Sequence, residues 1–373
     1  MEKIIGVVTT EFGFGPVSKA VYIIDAINRL LPEAEVVFWG EGYSKEYVSE
    51  AGLRVTIREK RRLSDESDYD CLINIMDTDL VERWNNKEKN MYFVDSLSWM
   101  WDKPIKGIEK IKRYFVQDYF VDESVVSQLS TYTNVSIVPP ISCIIDAKER
   151  DKTSKKLLVV NYSGVHNPFA KKDYFVKYCY CLTNIILKYA DGVFDVIQFT
   201  MNSDIASEME KLFAADEFQS DIRFNFIVHD EFIKILCAAD RVITNPGITT
   251  TLELLNNDCP YAYFMGSNYS QILMTAKYKT LHHLENVISL NDFGVETEKL
   301  SGLPEEEGVR FVTRFIEELL DEPNPILEEY IRKVIEEPRE RLRENNKKIP
   351  VIRAGLGQET IVNEVVKDLE CVS

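Results

Sequence analysis

The chain has 373 residues, of which 45% are hydrophobic, and it carries a formal net charge of −17. This length predicts about two domains at roughly 150 residues each, and the hydrophobic fraction excludes a disordered chain. The acidic charge argues against a nucleic-acid partner, because such a partner requires a basic surface. The longest apolar runs, such as Leu157-Leu158-Val159-Val160, have the length of strands, so no transmembrane segment is expected.

Two further features concern the cellular compartment. The N-terminus leads directly into the apolar run 4–8, without the long apolar core and small-residue cleavage site of a signal peptide. The seven cysteines form no CxxC pair, and several lie in apolar runs, which is typical of reduced thiols. We therefore expect a cytoplasmic protein.

The first half of the chain alternates short apolar runs with amphipathic stretches. Strands are predicted at 3–9, 34–39, 52–56, 71–75, 91–94, 113–117 and 135–138, and helices at 16–31, 43–50, 78–86 and 121–130. This alternation indicates parallel βαβ units. Pro139-Pro140 and the charged stretch 148–156 then predict an interdomain linker.

The same alternation restarts after the linker and predicts a second doubly wound unit. Strands are predicted at 157–161, 193–199, 223–228, 241–244 and 261–265, and helices at 171–190, 203–214, 230–239 and 249–257. The chain becomes helical and charged from about 305. A last helix at 358–370 carries an apolar stripe, which must pack against another element.

The strongest chemical signal is a strand that ends at a Pro-Gly turn, followed by a helix that begins among three threonines. Gly247 allows the backbone to approach a ligand closely. Thr249 or Thr250 is predicted to cap the helix, and the amides of a helix start attract anions. Together with the Thr251 hydroxyl they suit a diphosphate, and Glu253 could accept both hydroxyls of a ribose. A plain strand–turn–helix with threonine caps is the alternative.

This segment resembles the donor-binding signature of GT-B glycosyltransferases, especially the branch that includes the lipid II GlcNAc-transferase. The signature has a strand, a Gly, a hydroxyl-rich helix start and a Glu six residues after the Gly, a spacing that Gly247 and Glu253 reproduce. A second strand and a loop with a sugar-binding Gln follow, and 261–265 and Gln271 match them. The resemblance implies that the helix start holds the diphosphate of a nucleotide sugar, Glu253 its ribose and Gln271 its sugar.

Two other loops fit the same family. The segment 161–168 resembles the small-residue loop that faces the donor phosphates, which makes Gly164 and His166 candidates for phosphate binding. A turn histidine bonded to backbone is an equal alternative for His166. In this family the loop after a later strand often contacts the nucleobase through main-chain atoms, and Val228 and His229 occupy that place here.

Near the N-terminus, Gly13 and Gly15 lie in a segment that resembles the GxGH-type loop of these enzymes, where glycines approach the transferred sugar and the acceptor. The position after the second glycine is His in many relatives and Pro16 here, so no role of that histidine carries over. Proline is well tolerated in a first helical turn. A Rossmann dinucleotide site is a poorer interpretation, because Ser18 stands where its third glycine would be.

An inverting transferase needs a general base close to its acceptor. Asp95 is the first candidate and Glu11 the second, because both follow predicted strands, as Asp77 also does. A helix cap or a solvated turn is the alternative for each of them. A retaining enzyme would need no such base, and the sequence does not distinguish the two stereochemical outcomes.

No HExxH motif or Cys/His cluster is present, so neither a metal nor a cofactor is expected. The resemblance implies two doubly wound Rossmann-like α/β domains facing each other across a cleft. An acceptor-binding domain at 1–147 would carry the helix 358–373, and 157–357 would bind the donor, a nucleoside diphosphate sugar of UDP or dTDP type. The acceptor would be a small molecule or a lipid- or peptide-linked group. A non-hydrolysing nucleotide-sugar epimerase and a non-catalytic nucleotide-sugar-binding subunit are the alternatives.

Overall fold

The structure, a computed structural model, divides into two compact units, Met1–Cys143 with Ile352–Ser373, and Ile144–Val351. It describes residues 3–64, 68–86, 88–101, 104–143, 155–162, 165, 169–349 and 357–370. The predicted linker at 148–156 lies outside the described residues up to position 154.

The first unit is built on a parallel sheet of seven strands. The strands are β1 (Ile4–Thr9), β2 (Glu35–Gly40), β3 (Thr56–Glu59), β4 (Cys71–Ile75), β5 (Asn90–Asp95), β6 (Arg113–Gln117) and β7 (Val135–Val138). The helices are α1 (Phe14–Leu30), α2 (Gly42–Glu50), α3 (Thr78–Arg83), α4 (Glu123–Leu129) and, at the end of the chain, α13 (Gly357–Glu370). The strand order is β3-β2-β1-β4-β5-β6-β7. Every residue of β4 is buried, as expected for a parallel strand covered on both faces.

The second unit has a parallel sheet of five strands. The strands are β8 (Leu157–Asn161), β9 (Val196–Thr200), β10 (Asp221–Asn225), β11 (Arg241–Thr244) and β12 (Tyr261–Tyr263). The helices are α5 (Lys172–Ala190), α6 (Ser203–Phe213), α7 (His229–Ala238), α8 (Ile248–Asn256), α9 (Tyr269–Leu281), α10 (Glu305–Leu319), α11 (Pro325–Glu336) and α12 (Arg339–Asn346). The strand order is β10-β9-β8-β11-β12. The predicted fold class, α/β with two doubly wound sheets, is confirmed.

Two elements differ from the sequence prediction. The strand predicted at 52–56 lies at Thr56–Glu59, at the edge of the first sheet, where its residues are only partly buried and the apolar pattern is weak. The segment after β12, predicted as a loop, becomes helix α9 after five residues. The Asn268 side chain caps this helix by accepting a hydrogen bond from the Gln271 amide at 3.1 Å.

The last helix, α13, lies in the first unit and contacts α1 and β7. Its predicted apolar stripe is largely buried, at Ile361, Val362, Val365 and Leu369. Arg113 at the start of β6 forms an ion pair with Asp368 at 2.9 Å. The final helix therefore completes the first unit, although the whole second unit precedes it in the chain.

Candidate functional site

The strand order of the second sheet reverses between β8 and β11. Strands β9 and β10 lie on one side of β8, and strands β11 and β12 lie on its other side. In open parallel sheets, ligands bind at the carboxyl ends of the strands beside such a switch point. The two loops that begin there follow Asn161 and Thr244, and both were predicted from the sequence to bind phosphate. The topology thus brings the starts of these two loops side by side.

Asn161 joins the ends of three strands. Its side-chain nitrogen donates to Thr244 Oγ1 at 3.0 Å, and its side-chain oxygen accepts from Thr200 Oγ1 at 3.0 Å. The Thr244 hydroxyl in turn donates to the Asn245 carbonyl at 3.0 Å. All four residues are buried, where a fully bonded polar network is rigid. The first residue of the turn after β11 is therefore held in place.

Helix α8 begins earlier than predicted. Gly247 is its N-cap residue, and no side chain of the described residues caps its first turn. The amide of Thr251 donates to the Gly247 carbonyl at 2.8 Å. The prediction that Thr249 or Thr250 caps the helix is wrong, because the helix starts before both residues. A helix start without a side-chain cap presents amides and a positive dipole end to an anion.

The space around this helix start is open at Gly247. The Gly247 backbone is extended, with φ of −139°, and a Cβ placed there meets no atom of the described residues within 4 Å. Neither conformation nor packing within the unit requires a glycine at this position. Thr250 beside it is half-buried. Thr251 is fully buried and shares a 2.7 Å hydrogen bond with the Tyr263 hydroxyl, so its role is structural and the predicted diphosphate contact does not fit.

Gln271 lies in the first turn of α9, beside the turn that ends β12. Its Oε1 accepts hydrogen bonds from the Ser267 amide at 2.7 Å and the Ser267 hydroxyl at 3.2 Å. Its side-chain nitrogen makes no hydrogen bond within the described part of the chain. A Cβ at Gly266 would lie 2.6 Å from Gln271 Cβ, so glycine is required for this close approach. The orientation of the Gln271 side-chain amide is thereby fixed.

Two tyrosines of α5 connect the turns after β11 and β12. The Tyr178 hydroxyl donates to Asn245 Oδ1 at 2.9 Å and also contacts the Met265 carbonyl. The Tyr174 hydroxyl donates to the Ser267 carbonyl at 2.9 Å. Neither tyrosine was predicted from the sequence to have a role here, although their spacing of four places both on one face of a helix.

His229 and Glu253 come together between α7 and α8. His229 Nε2 lies 3.4 Å from Glu253 Oε1, and the two side chains are 4% and 1% exposed. Burial lowers the pKa of His229 to about 4, so the imidazole is neutral at pH 7. Glu253, the residue predicted to bind the ribose, therefore has a neutral imidazole as its neighbour.

Val228, another predicted residue of the second unit, lies directly before α7. Val228 is the N-cap residue of α7, and its carbonyl accepts the Phe232 amide at 2.8 Å. Gly164 and His166 lie outside the described residues.

The first sheet has its switch point between β1 and β4, and Glu11 and Gly13 follow β1. Glu11 Oε1 accepts from the Ser44 hydroxyl and from the Glu41 amide at 3.3 Å. Its other oxygen has no hydrogen-bond partner within the described ranges. Burial raises the pKa of Glu11, while the Ser44 hydrogen bond and the charge of Lys60 oppose that rise.

The glycines of the N-terminal loop have different positions. Gly13 has a positive φ of 64° just before α1, and its carbonyl accepts from the Tyr43 hydroxyl at 2.8 Å. Gly15 is half-buried in the first turn of α1, directly before Pro16. Lys60, which no sequence motif singled out, donates to the Thr9 carbonyl at 2.6 Å and pairs with Asp77 at 2.9 Å. Asp77 also caps α3 through the Leu80 amide at 2.9 Å, as its alternative interpretation predicted.

Asp95, the first candidate for the base, lies at the end of β5 and is 0% exposed. Its Oδ2 accepts from the Tyr114 hydroxyl, and its Oδ1 accepts from the Leu97 amide at 2.6 Å. Burial raises its pKa, against the opposing effect of these hydrogen bonds. This placement corrects the prediction, because a general base must reach the acceptor and both oxygens of Asp95 are occupied inside the unit.

In the described part of the chain, no group of three or more His, Cys, Asp and Glu side chains has an arrangement suited to a metal ion. No helix among the described residues has both the length and the apolar character needed to span a bilayer.

No protein-family model matches the chain, and no curated protein matches it. Solved structures do match. The S. aureus MnaA–UDP structure is 12% identical, with a TM-score of 0.53 over 99% of this chain and 97% of that chain. The chain has the GT-B fold.

Two further structures with this fold extend the comparison. The calicheamicin glycosyltransferase CalG4 is 11% identical, with a TM-score of 0.48 over 100% of this chain and 99% of its own. A Listeria monocytogenes protein provisionally named a UDP-N-acetylglucosamine 2-epimerase is 10% identical, with a TM-score of 0.49 over 91% and 92%. At these identities the likeness concerns the GT-B fold alone.

Proposed function

We propose that this chain is a glycosyltransferase that moves a sugar from a nucleoside diphosphate sugar, of UDP or dTDP type, to an acceptor bound by the first unit. The observation that carries the proposal is the start of α8, which has no side-chain cap and lies at the switch point with open space at Gly247. An anion is the ligand that such a helix start favours. The UDP in the S. aureus MnaA structure is consistent with a nucleoside diphosphate ligand.

In this proposal the donor lies along α8 and the neighbouring turns. The amides before Thr251 and the half-buried Thr250 hydroxyl bind the diphosphate, and Glu253 accepts the ribose hydroxyls. Main-chain groups at Val228 and His229 contact the base. The Gln271 side-chain nitrogen donates to a sugar hydroxyl, since its oxygen is already bonded to Ser267.

The first unit supplies the base for an inverting reaction. Glu11 takes the place of Asp95, because one Glu11 oxygen has no partner among the described residues and its pKa is raised toward the working range of a base. Gly13 and Gly15 allow the backbone to approach the sugar and the acceptor. Helix-start amides stabilise the charge that grows on the leaving diphosphate, so the proposal requires no metal.

Donor binding is tested by thermal denaturation with UDP, dTDP, GDP and ADP. A nucleotide at 100 times its Kd should stabilise the protein by roughly 2.7 kcal/mol. We expect UDP or dTDP to do so, and Glu253→Ala to remove the effect while the exposed Glu307→Ala retains it. The proposal is wrong if no nucleotide stabilises the protein.

Turnover distinguishes the related activities. The protein is incubated with UDP-glucose or UDP-N-acetylglucosamine, with and without a panel of hydroxyl-bearing acceptors. Transfer to an acceptor supports the proposal. An isomerised nucleotide sugar without acceptor identifies an epimerase, and binding without any turnover identifies a non-catalytic binding subunit.

A further inference from the structure

The second unit contains a cavity of about 310 Å³ between α5 and the segment that joins α10 to α11. Its lining residues come from the second half of α5, from 320–324 and from the first turn of α11. Ligand sites in proteins have volumes of about 300–1,000 Å³ and are mainly apolar with a few polar groups. The cavity shares no residue with the proposed donor site, so what it binds does not depend on the proposed function.

The most buried residues of the cavity lining are apolar. Leu327 is fully buried and Leu320 almost fully, whereas Ile185 on α5 is half-buried. Cys181, one turn before Ile185, is also half-buried, and its thiol donates a weak hydrogen bond to the Leu320 carbonyl at 3.7 Å. These side chains give the small apolar body of a ligand a surface to pack against.

The charged residues of the lining are mostly acidic. Asp321, Glu322 and Glu328 carry carboxylates, and Lys188 is the one cation among the lining residues that the structure describes. Lys188 is paired with Glu328 at 2.6 Å, and Lys177, outside the lining, is paired with Asp321 at 2.5 Å. Glu322 is exposed and has no ion pair or hydrogen bond within the described part of the chain. Its negative charge is therefore left for a ligand.

Two uncharged groups of α5 also favour a cation. Tyr180 is 40% exposed, and its ring contacts Phe213 at a centroid distance of 5.4 Å. The face of an aromatic ring attracts a cation within about 6 Å. The Asn184 side-chain nitrogen donates to the Tyr180 carbonyl at 3.0 Å, so its oxygen, which has no partner among the described residues, is left as an acceptor.

We propose that this cavity binds an organic amine, which is a protonated primary amine on a small aromatic or aliphatic body. The ammonium group lies beside the Glu322 carboxylate, the Asn184 side-chain oxygen and the Tyr180 ring. An ammonium group has three donors and no acceptor, which matches a carboxylate and an amide oxygen. The apolar body packs on Ile185 and Leu327. A carboxylate-bearing ligand of the same shape is repelled by the acidic lining.

The test uses phenethylamine, with 2-phenylethanol as its neutral analogue and 3-phenylpropionate as its anionic analogue. Binding is measured as protection of the Cys181 thiol from methyl methanethiosulfonate, which modifies thiols and not amines, and is followed by peptide mass spectrometry. Burial raises the pKa of Cys181, so the reaction is run at mildly alkaline pH, where more of the thiolate is present. Cys237, a half-buried thiol on α7, is the internal reference.

Phenethylamine should slow the modification of Cys181 in a saturable way and leave that of Cys237 unchanged. The neutral analogue should bind about two- to fivefold more weakly, the range of one exposed charge contact, and the anionic analogue more weakly still. Glu322→Gln should lower the affinity for phenethylamine by the same factor, and Glu322→Lys should make 3-phenylpropionate the tighter ligand. Glu307→Lys makes the same change of net charge at an exposed position in the first turn of α10 and should keep the wild-type order.

Three results would overturn the inference. Unchanged modification of Cys181 at millimolar phenethylamine would show that the cavity does not take this ligand. Equal protection by all three compounds would show apolar packing without recognition of the charge. The same order of affinities in Glu322→Lys as in the wild type, or a reversed order in Glu307→Lys, would show that the charge beside the cavity does not select the ligand.

Discussion

The side-chain amide of Asn161 at the end of β8 donates to the Thr244 hydroxyl at the end of β11, at 3.0 Å. The two residues are 83 positions apart in the chain and fully or almost fully buried. Their contact fixes the two strand ends from which the predicted donor loops begin. The site is thus held by the sheet rather than by the loops themselves.

Replacing Asn161 should therefore weaken the second unit. Asn161→Leu removes the acceptor of the Thr200 hydroxyl and the donor to Thr244, whose hydroxyl keeps its bond to the Asn245 carbonyl. Leaving one buried polar group unsatisfied costs about 1–3 kcal/mol. Urea denaturation should show this loss, whereas Asn225→Ala, at an exposed strand end, should change stability little. Equal stability of both variants would contradict the role given to Asn161.

Two glycines of the second unit should respond in opposite ways to alanine. Gly247→Ala should lower stability by no more than about 1 kcal/mol, because its backbone is extended and its surroundings are open. It should weaken UDP binding, by roughly 1–3 kcal/mol if the added methyl group meets the diphosphate.

Gly266→Ala is the matched comparison. Its Cβ would lie 2.6 Å from Gln271 Cβ and 3.0 Å from the Gln271 carbonyl carbon, so we expect a stability loss of about 1–3 kcal/mol. Thermal denaturation and calorimetry measure both effects. If Gly247→Ala destabilised the fold and left UDP binding intact, the diphosphate site would have to lie elsewhere.

The two candidate bases are separated by isosteric substitutions. Glu11→Gln keeps an acceptor for Ser44 but cannot take up a proton, and kcat should fall at least about 100-fold. Asp95→Asn should leave kcat of the folded enzyme unchanged, because Asp95 is buried with both oxygens bonded. The measurement is the steady-state rate of sugar transfer to the acceptor that supports turnover. The opposite result would restore Asp95 as the base.

Stability should depend on pH through His229. Its pKa is lowered to about 4 in the folded protein from an ordinary value of 6.5, so the unfolded chain takes up the proton first on acidification. Its contribution is complete above pH 6.5 and is lost as the pH falls toward 4, by up to about 3 kcal/mol. Urea titrations from pH 7.5 to 4.5 should show a smaller loss in His229→Gln than in the wild type. Identical slopes would contradict the neutral, buried imidazole.

Most of the fold could be predicted from local pattern. Strands such as Cys71–Ile75 and Leu157–Asn161 have the predicted bounds, because apolar runs between turn residues identify buried parallel strands. Helix α9 was missed because its cap at Asn268 lies only five residues after the end of β12, and its hydrophobic pattern is weak. The edge strand β3 was displaced for the same reason, since a half-exposed strand has few apolar residues.

The sequence by itself determined two doubly wound α/β units and the turn before α8, since periodicity, caps and glycine spacing act over a few neighbouring residues. Only the tertiary structure decided which polar groups are used inside the protein. It buried Asp95 against Tyr114, turned Thr251 toward Tyr263 and placed His229 against Glu253. These contacts depend on the order of strands and the packing of helices, which join residues far apart in the chain and which no local pattern specifies.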